Sequence, residues 1–520
     1  MTNIRSIAIT LFLFSFCFIA NAQQTYYVST SGNDISGNGS KKAPWRSLYK
    51  ACQSVTKKGD IIHLNAGTFV ENRVCSLASG VSLEGEGEKS IITSNNITEQ
   101  FSAIIELRSS SVNEGNQSIS NLTFNGNKLK IAQAFNIVGR SNVEIHHCTF
   151  VDFHYLAIWW CGLMNGDNPI YVTNNSFHHN KVDNCAAYDD GYARGALMVG
   201  GQENFLLYDN VMRQTGRKKG TNGWPFKVWA NEGFIKDSKI YNNTLYKDDN
   251  ENWDFAIEMN HVQGVEIYNN KITGCVDAVH QQRGKDGYSV YIHDNIIGHE
   301  EPLTGDTYGV VLEGESYGAI IRRNYIKNVS IGMSFTTNWG TDLIDFEASY
   351  NVFSNINCKG NTPYGGIRVL EDGAKLDNFN VFNNVFYVNE NTRAFSGIEI
   401  RRGWTSDVSN INIKNNIFVN FSFWFVSPLG SKINGLYLEN NILYKNDNDN
   451  KPYMENGNPR KYSNKNIVAD PKFVSTTNFH LKSGSPGIKK GQKIKSFVLD
   501  IEKNLASSQP NIGAYETIAK

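Results

Sequence analysis

The sequence predicts an all-β solenoid, a parallel β-helix, on three observations. A short apolar-alternating motif ending in a turn residue, most often Asn, recurs through most of the chain. A second apolar strand precedes each copy. The composition suits short strands joined by tight turns, with 45 Gly, 24 Tyr and 29 Phe against 11 Pro in 520 residues.

The motif is plainest in VEIHHCTF (143–150), SKIYNNTL (238–245), VEIYNNKI (265–272), VYIHDNII (290–297) and INIKNNIF (411–418). Its turn residues are Asn121, Cys148, Asn175, Asn210, Asn243, Asn270, Asn295, Asn324, Asn351, Asn384, Asn416 and Asn441. They recur about every 25–35 residues, the period of a solenoid. One coil cannot bury its own apolar face, whereas stacked coils share a core, so roughly a dozen coils are expected. Asn suits the turn because it tolerates left-handed backbone. Stacked on itself it forms an amide ladder, so these asparagines read as structural.

The N-terminal stretch YYVSTSGNDISGNGSKKAPWRSLYKAC…GDIIHLNAGTF (26–69) and the close SGSPGIKKG…NIGAYE (483–516) resemble secreted right-handed parallel β-helix proteins of the pectate-lyase-like superfamily. The resemblance implies a right-handed solenoid acting on a polysaccharide or oligosaccharide, as a glycoside hydrolase or a polysaccharide lyase. A single domain over 23–520 is expected, working as a monomer. Residues 44–56 are expected to form an N-terminal capping helix, 118–443 the regular coils, and 444–520 irregular C-terminal coils and a cap.

Residues 1–22 read as a secretory signal: Arg5, an apolar run from Ile7 to Ala20, and the small-x-small site Ala20-Asn21-Ala22. The protein is therefore expected to be secreted or periplasmic, and no later run is long enough for a transmembrane anchor. Fifty basic and fifty acidic residues give zero net charge, which argues against nucleic acid as a partner. Seven cysteines follow the signal. Cys52 with Cys75 and Cys161 with Cys185 are candidate disulfides, buried single thiols the alternative. No Cys-x-x-Cys occurs, so no metal centre is expected. Asp248, Asp249 and Glu251 offer oxygen ligands to calcium, but not at the spacing of a calcium loop.

Strands alternate faces. Aligned on inward pairs such as Phe226/Val228, Ile257/Met259, Val279/Gln281 and Val310/Leu312, the preceding strands present two outward columns. One reads Met198, Lys227, Glu258, His280, Val311, Ser334, Arg368, Glu399. The other reads Gly200, Trp229, Asn260, Gln282, Glu313, Thr336, Leu370, Arg401. A solvated face is the plain alternative, since exposed strands often carry Lys or Glu. Two features favour a site here: the polar groups concentrate in the middle coils, and Trp224, Trp229, Trp253 and Trp339 crowd them, offering flat faces to sugars.

Hydrolysis requires two carboxyl groups, and Glu258 and Glu313 are the candidates, with His280 between them. β-Elimination would use Lys227 or His280 as base, with Arg283, Asn260 and Gln282 facing a uronate carboxylate. Arg368 with Glu399 and Arg401 forms a secondary cluster. The third reading, a non-catalytic glycan-binding solenoid, needs the aromatics but not the carboxyls.

Overall fold

The computed structural model describes residues 23–96, 103–128, 133–166, 168–186, 194–214, 223–230, 233, 235–247, 255–280, 290–336, 342–356, 365–369, 375–390, 394–400, 408–426, 433–446, 453–455, 458–460, 465–495 and 498–519. The predicted signal, Cys358, and Trp253, Gln282, Arg283, Trp339, Leu370 and Arg401 lie outside them, as do Asp248, Asp249 and Glu251. Among the described residues no helix is long and apolar enough to cross a membrane.

The chain is a parallel β-solenoid. Each turn contributes a strand to three faces. In one turn these are Gly223–Val228 on the first face, Lys239–Tyr241 on the second and Thr244–Lys247 on the third. Strands pair in parallel with their counterparts one turn away, and the third face stacks fifteen strands. About ten turns show all three faces separately, between Ile158 and Tyr444. In the preceding turns, Ile105–Ser120 and Phe135–His146 each run across the first and second faces as one long strand.

The core is the inside of the coil. Phe226, Val228, Ile257, Met259, Val310, Leu312, Met333 and Phe335 are all buried as their alternation requires. Stacked rings run along the axis, as in Phe353–Phe386–Phe418, with centroids 4.5 and 4.8 Å apart. One α-helix is described, Leu48–Ser54, shorter than the predicted 44–56. Ser47 Oγ caps it by accepting from the Lys50 amide at 3.1 Å.

The amide ladder exists, but Asn121 is not a member and is itself the left-handed residue of its corner, at φ +54°, and two further differences appear. It runs Asn180, Asn210, Asn243, Asn270, Asn295, Asn324, Asn351, Asn384, Asn416, Asn441, Asn466; each Oδ1 accepts the backbone amide of the preceding member. Asn180, not Asn175, belongs to it; Asn175 instead accepts from the Val143 amide. The left-handed residue is the one before the ladder Asn: His179, Asp209, Asn242, Asn269, Asp294 and Arg323 have φ near +55°. The ladder side chain turns inward and holds the corner.

The C-terminal segment does more than close an end. It folds back along the flank, packing Phe479, Leu481, Ile512 and Ala514 against Val352, Val385, Ile417 and Ile442. The six described cysteines are all buried free thiols. Cys161 sits on an outer column near Trp159, whose indole donates to its Sγ at 3.2 Å, and it does not pair with Cys185.

Candidate active site

The first face positions the candidate groups. Lys227 on Gly223–Val228 is in register with Glu258 on Phe255–Asn260, as the alignment predicts. The next partner of Glu258 is Asp277, not His280. Only Gly274, in a positive-φ conformation, separates the third-face strand Lys271–Thr273 from the first-face strand Cys275–His280. That strand therefore starts three residues early. Val276 and Ala278, not Val279 and Gln281, take the register of Ile257 and Met259. His280 falls in register with Gly314, beyond the column.

The outward column thus reads Lys227, Glu258, Asp277, Val311, Ser334, Arg368, Glu399. Asn260, Val279, Glu313 and Thr336 form the neighbouring column. Adjacent turns lie about 4.8 Å apart and alternate residues about 6.7 Å apart along a strand. Glu313 is one turn and one column from Asp277, roughly 8 Å between backbones.

Lys227 is only 3 % exposed, and its ammonium pairs with the Glu258 carboxylate. The same ammonium lies 4.5 Å from the Trp224 ring centroid and 4.9 Å from that of Trp229. Trp224 is buried, so it shapes the ammonium's surroundings; Trp229 is 48 % exposed and offers an open face. Burial holds Lys227 below its usual range, against the opposing Glu258 charge.

Two carboxyls move the other way. Glu313 is pushed above the usual range by burial and then by the Glu258 charge. Asp277, 1 % exposed, is pushed well above it by burial, then by Glu313 and Glu258. Among the described residues Asp277 Oδ1 has no hydrogen-bond partner, and neither does Oδ1 of buried Asn260. Sequence reasoning missed Asp277. The signal was present: VDA at 276–278 repeats the apolar–polar–apolar triplets FKV at 226–228 and IEM at 257–259.

The arrangement pairs one carboxylate, Glu258, with a buried ammonium. It favours a proton on two neighbouring carboxyls. This is how a protein separates a base from an acid of the same chemical type.

No protein-family model and no curated protein matches the sequence. Solved structures do match. A mutant tailspike protein of E. coli bacteriophage HK620 in complex with a pentasaccharide is 11% identical, with 83% of this chain and 79% of that chain covered, at a TM-score of 0.54. The complex of XylC with xylose is 10% identical, covering 95% and 99%, at 0.42. An alginate lyase from Paenibacillus sp. str. FPU-7 is 12% identical, covering 68% and 99%, at 0.39. The likeness to the tailspike protein agrees with the parallel β-helix described above. At these identities the likeness concerns the fold alone.

Proposed function

We propose that this chain is an exported carbohydrate-active enzyme, a glycoside hydrolase that uses Glu313 as general acid and Glu258 as general base. The observation that carries the reading is the opposed environments of the two groups. Glu258 is paired with Lys227, while burial and the Glu258 charge favour the proton on Glu313. Glu313 gives its proton to the glycosidic oxygen as the C–O bond breaks. Water attacks the anomeric carbon and loses its proton to Glu258. Their backbones are two turns and one column apart, roughly 12 Å. Side chains that converge from there suit the roughly 6.5–9.5 Å separation of an inverting pair. Asp277 is a positioning residue: protonated, it keeps a second negative charge away from Glu258. Trp229 supplies an open ring face for a sugar.

Elimination is the weaker reading, because the Lys227 ammonium is buried, ion-paired and covered by two tryptophans. The test is the purified protein on acidic and neutral polysaccharides, read for new reducing ends and for the ultraviolet absorbance of an unsaturated uronate. Reducing ends without that absorbance are expected. Glu258→Gln and Glu313→Gln should each lower kcat by about 10²–10⁴. Activity should fall as pH rises through the elevated pKa of Glu313, because the acid must carry its proton. Unsaturated product, or full activity in either variant, overturns the pair.

A further inference from the structure

A cavity of about 410 Å³ opens on the same face, on the N-terminal side of the carboxyls. Arg108, Gln133, Asn136, Tyr155 and Trp159 line it. Register ties it to the candidate site: Asn136 pairs with Trp159, Trp159 with Met198, Met198 with Lys227 and Lys227 with Glu258. Trp159 and Glu258 are therefore three turns apart on one column, roughly 14 Å along the axis. A glycan chain laid along this face would reach both.

The lining offers buried polar atoms. Asn136 is only 8 % exposed, and its Oδ1 has no hydrogen-bond partner among the described residues. The Oε1 of half-buried Gln133 has none either. A ligand hydroxyl that donates to such an amide oxygen would relieve the cost of leaving it buried and unpaired. Arg108 is exposed at the rim, and its guanidinium makes no ion pair or hydrogen bond among the described residues. Tyr155 and Trp159 are half-buried, and the Arg194 guanidinium sits 4.1 Å from the Tyr155 ring centroid. Amide acceptors, aromatic faces and a planar cation at the rim together match a pyranose that carries an anionic group.

We propose that this cavity binds one acidic pyranose residue, carboxylated or sulfated, of the glycan that is cleaved at Glu258 and Glu313. The proposal rests on the hydrolase reading for its link to cleavage, but the binding itself does not. Arg108 takes the anionic group, Asn136 and Gln133 accept ring hydroxyls, and Trp159 receives a ring face.

The test is calorimetric binding to the Glu313→Gln protein, which should not turn substrate over. The probes are size-graded fragments of polygalacturonate, chondroitin sulfate and dextran. Binding of at least one acidic series and none of dextran is expected. Arg108→Gln, an exposed substitution, should weaken that binding by about tenfold or more, the loss of one charge-assisted contact. The preferred series tells carboxylate from sulfate. Equal binding of dextran, no binding of either acidic series, or affinity unchanged by Arg108→Gln overturns the proposal. The two readings separate cleanly. Arg108-dependent binding in a wild-type protein that cleaves nothing keeps the cavity and sinks the hydrolase. Cleavage indifferent to Arg108 does the reverse.

Discussion

At the scale of the residue, Asp277 is the most informative side chain. Its folded pKa is raised above the ordinary value of 3.8. A carboxyl raised on folding binds its proton more tightly in the native state than in the unfolded chain. Its contribution is fully present below about pH 4 and is lost as pH rises through the folded pKa. Asp277→Asn keeps the shape and removes the titration. The variant should therefore gain stability relative to the parent as pH rises from about 4, and show no gain below it. Urea denaturation at a series of pH values checks this; a pH-independent difference would mean that Asp277 does not titrate on folding. The same residue marks the limit of what could be read from sequence. FKV and IEM align without ambiguity because each holds two apolar residues two apart. VDAVHQ holds three candidates, Val276, Ala278 and Val279, and the apolar pattern alone permits either register. A single-residue connection at Gly274, where other turns carry long loops, decided it.

At the scale of the element, the ladder sets how the turns couple. Asn270 Oδ1 accepts from both the backbone amide and the Nδ2 of Asn243, at 2.9 and 3.0 Å. Its own Nδ2 donates to the Ile240 carbonyl at 2.9 Å and to Asn295 Oδ1 at 3.0 Å. Asn270→Ala strands several buried groups at once, each worth about 1–3 kcal/mol, so a loss of about 2–5 kcal/mol is expected. Asn466 ends the ladder and is only half-buried, so water can take over its bonds. Asn466→Ala should cost clearly less in the same denaturation assay, and equal costs would contradict a buried ladder. That a ladder exists was legible from the repeat. Its exact member in one turn was not, because NNSFHHN at 174–180 holds three asparagines and the best copy of the motif falls on the wrong one. Asn175 serves the corner before Ser176–His178, and Asn180 the corner after it.

At the scale of the whole molecule, a solenoid with an apolar outer column needs covering. Val352, Val385, Ile417 and Ile442 are in register along the third face and face outward, yet none is exposed. The C-terminal segment covers them. It is held there by Asn383 Nδ2 donating to the Asn511 carbonyl at 3.0 Å, by the Gln492 amide donating to Asn415 Oδ1 at 2.8 Å, and by an ion pair between Lys495 and Glu347. Baring four aliphatic side chains costs about 1.5–3 kcal/mol each, roughly 6–12 kcal/mol together. A whole domain is typically stable by only about 5–15 kcal/mol. The segment thus stabilises turns far from it in sequence and masks a strip that would otherwise join one solenoid to another. A chain ending at residue 464 should lose most of its soluble yield, and the remainder should elute as large assemblies on size exclusion. Restoring 465–520 as a separate peptide should recover part of the single-size species. A monodisperse truncated protein with an unchanged melting temperature would show that the column needs no cover.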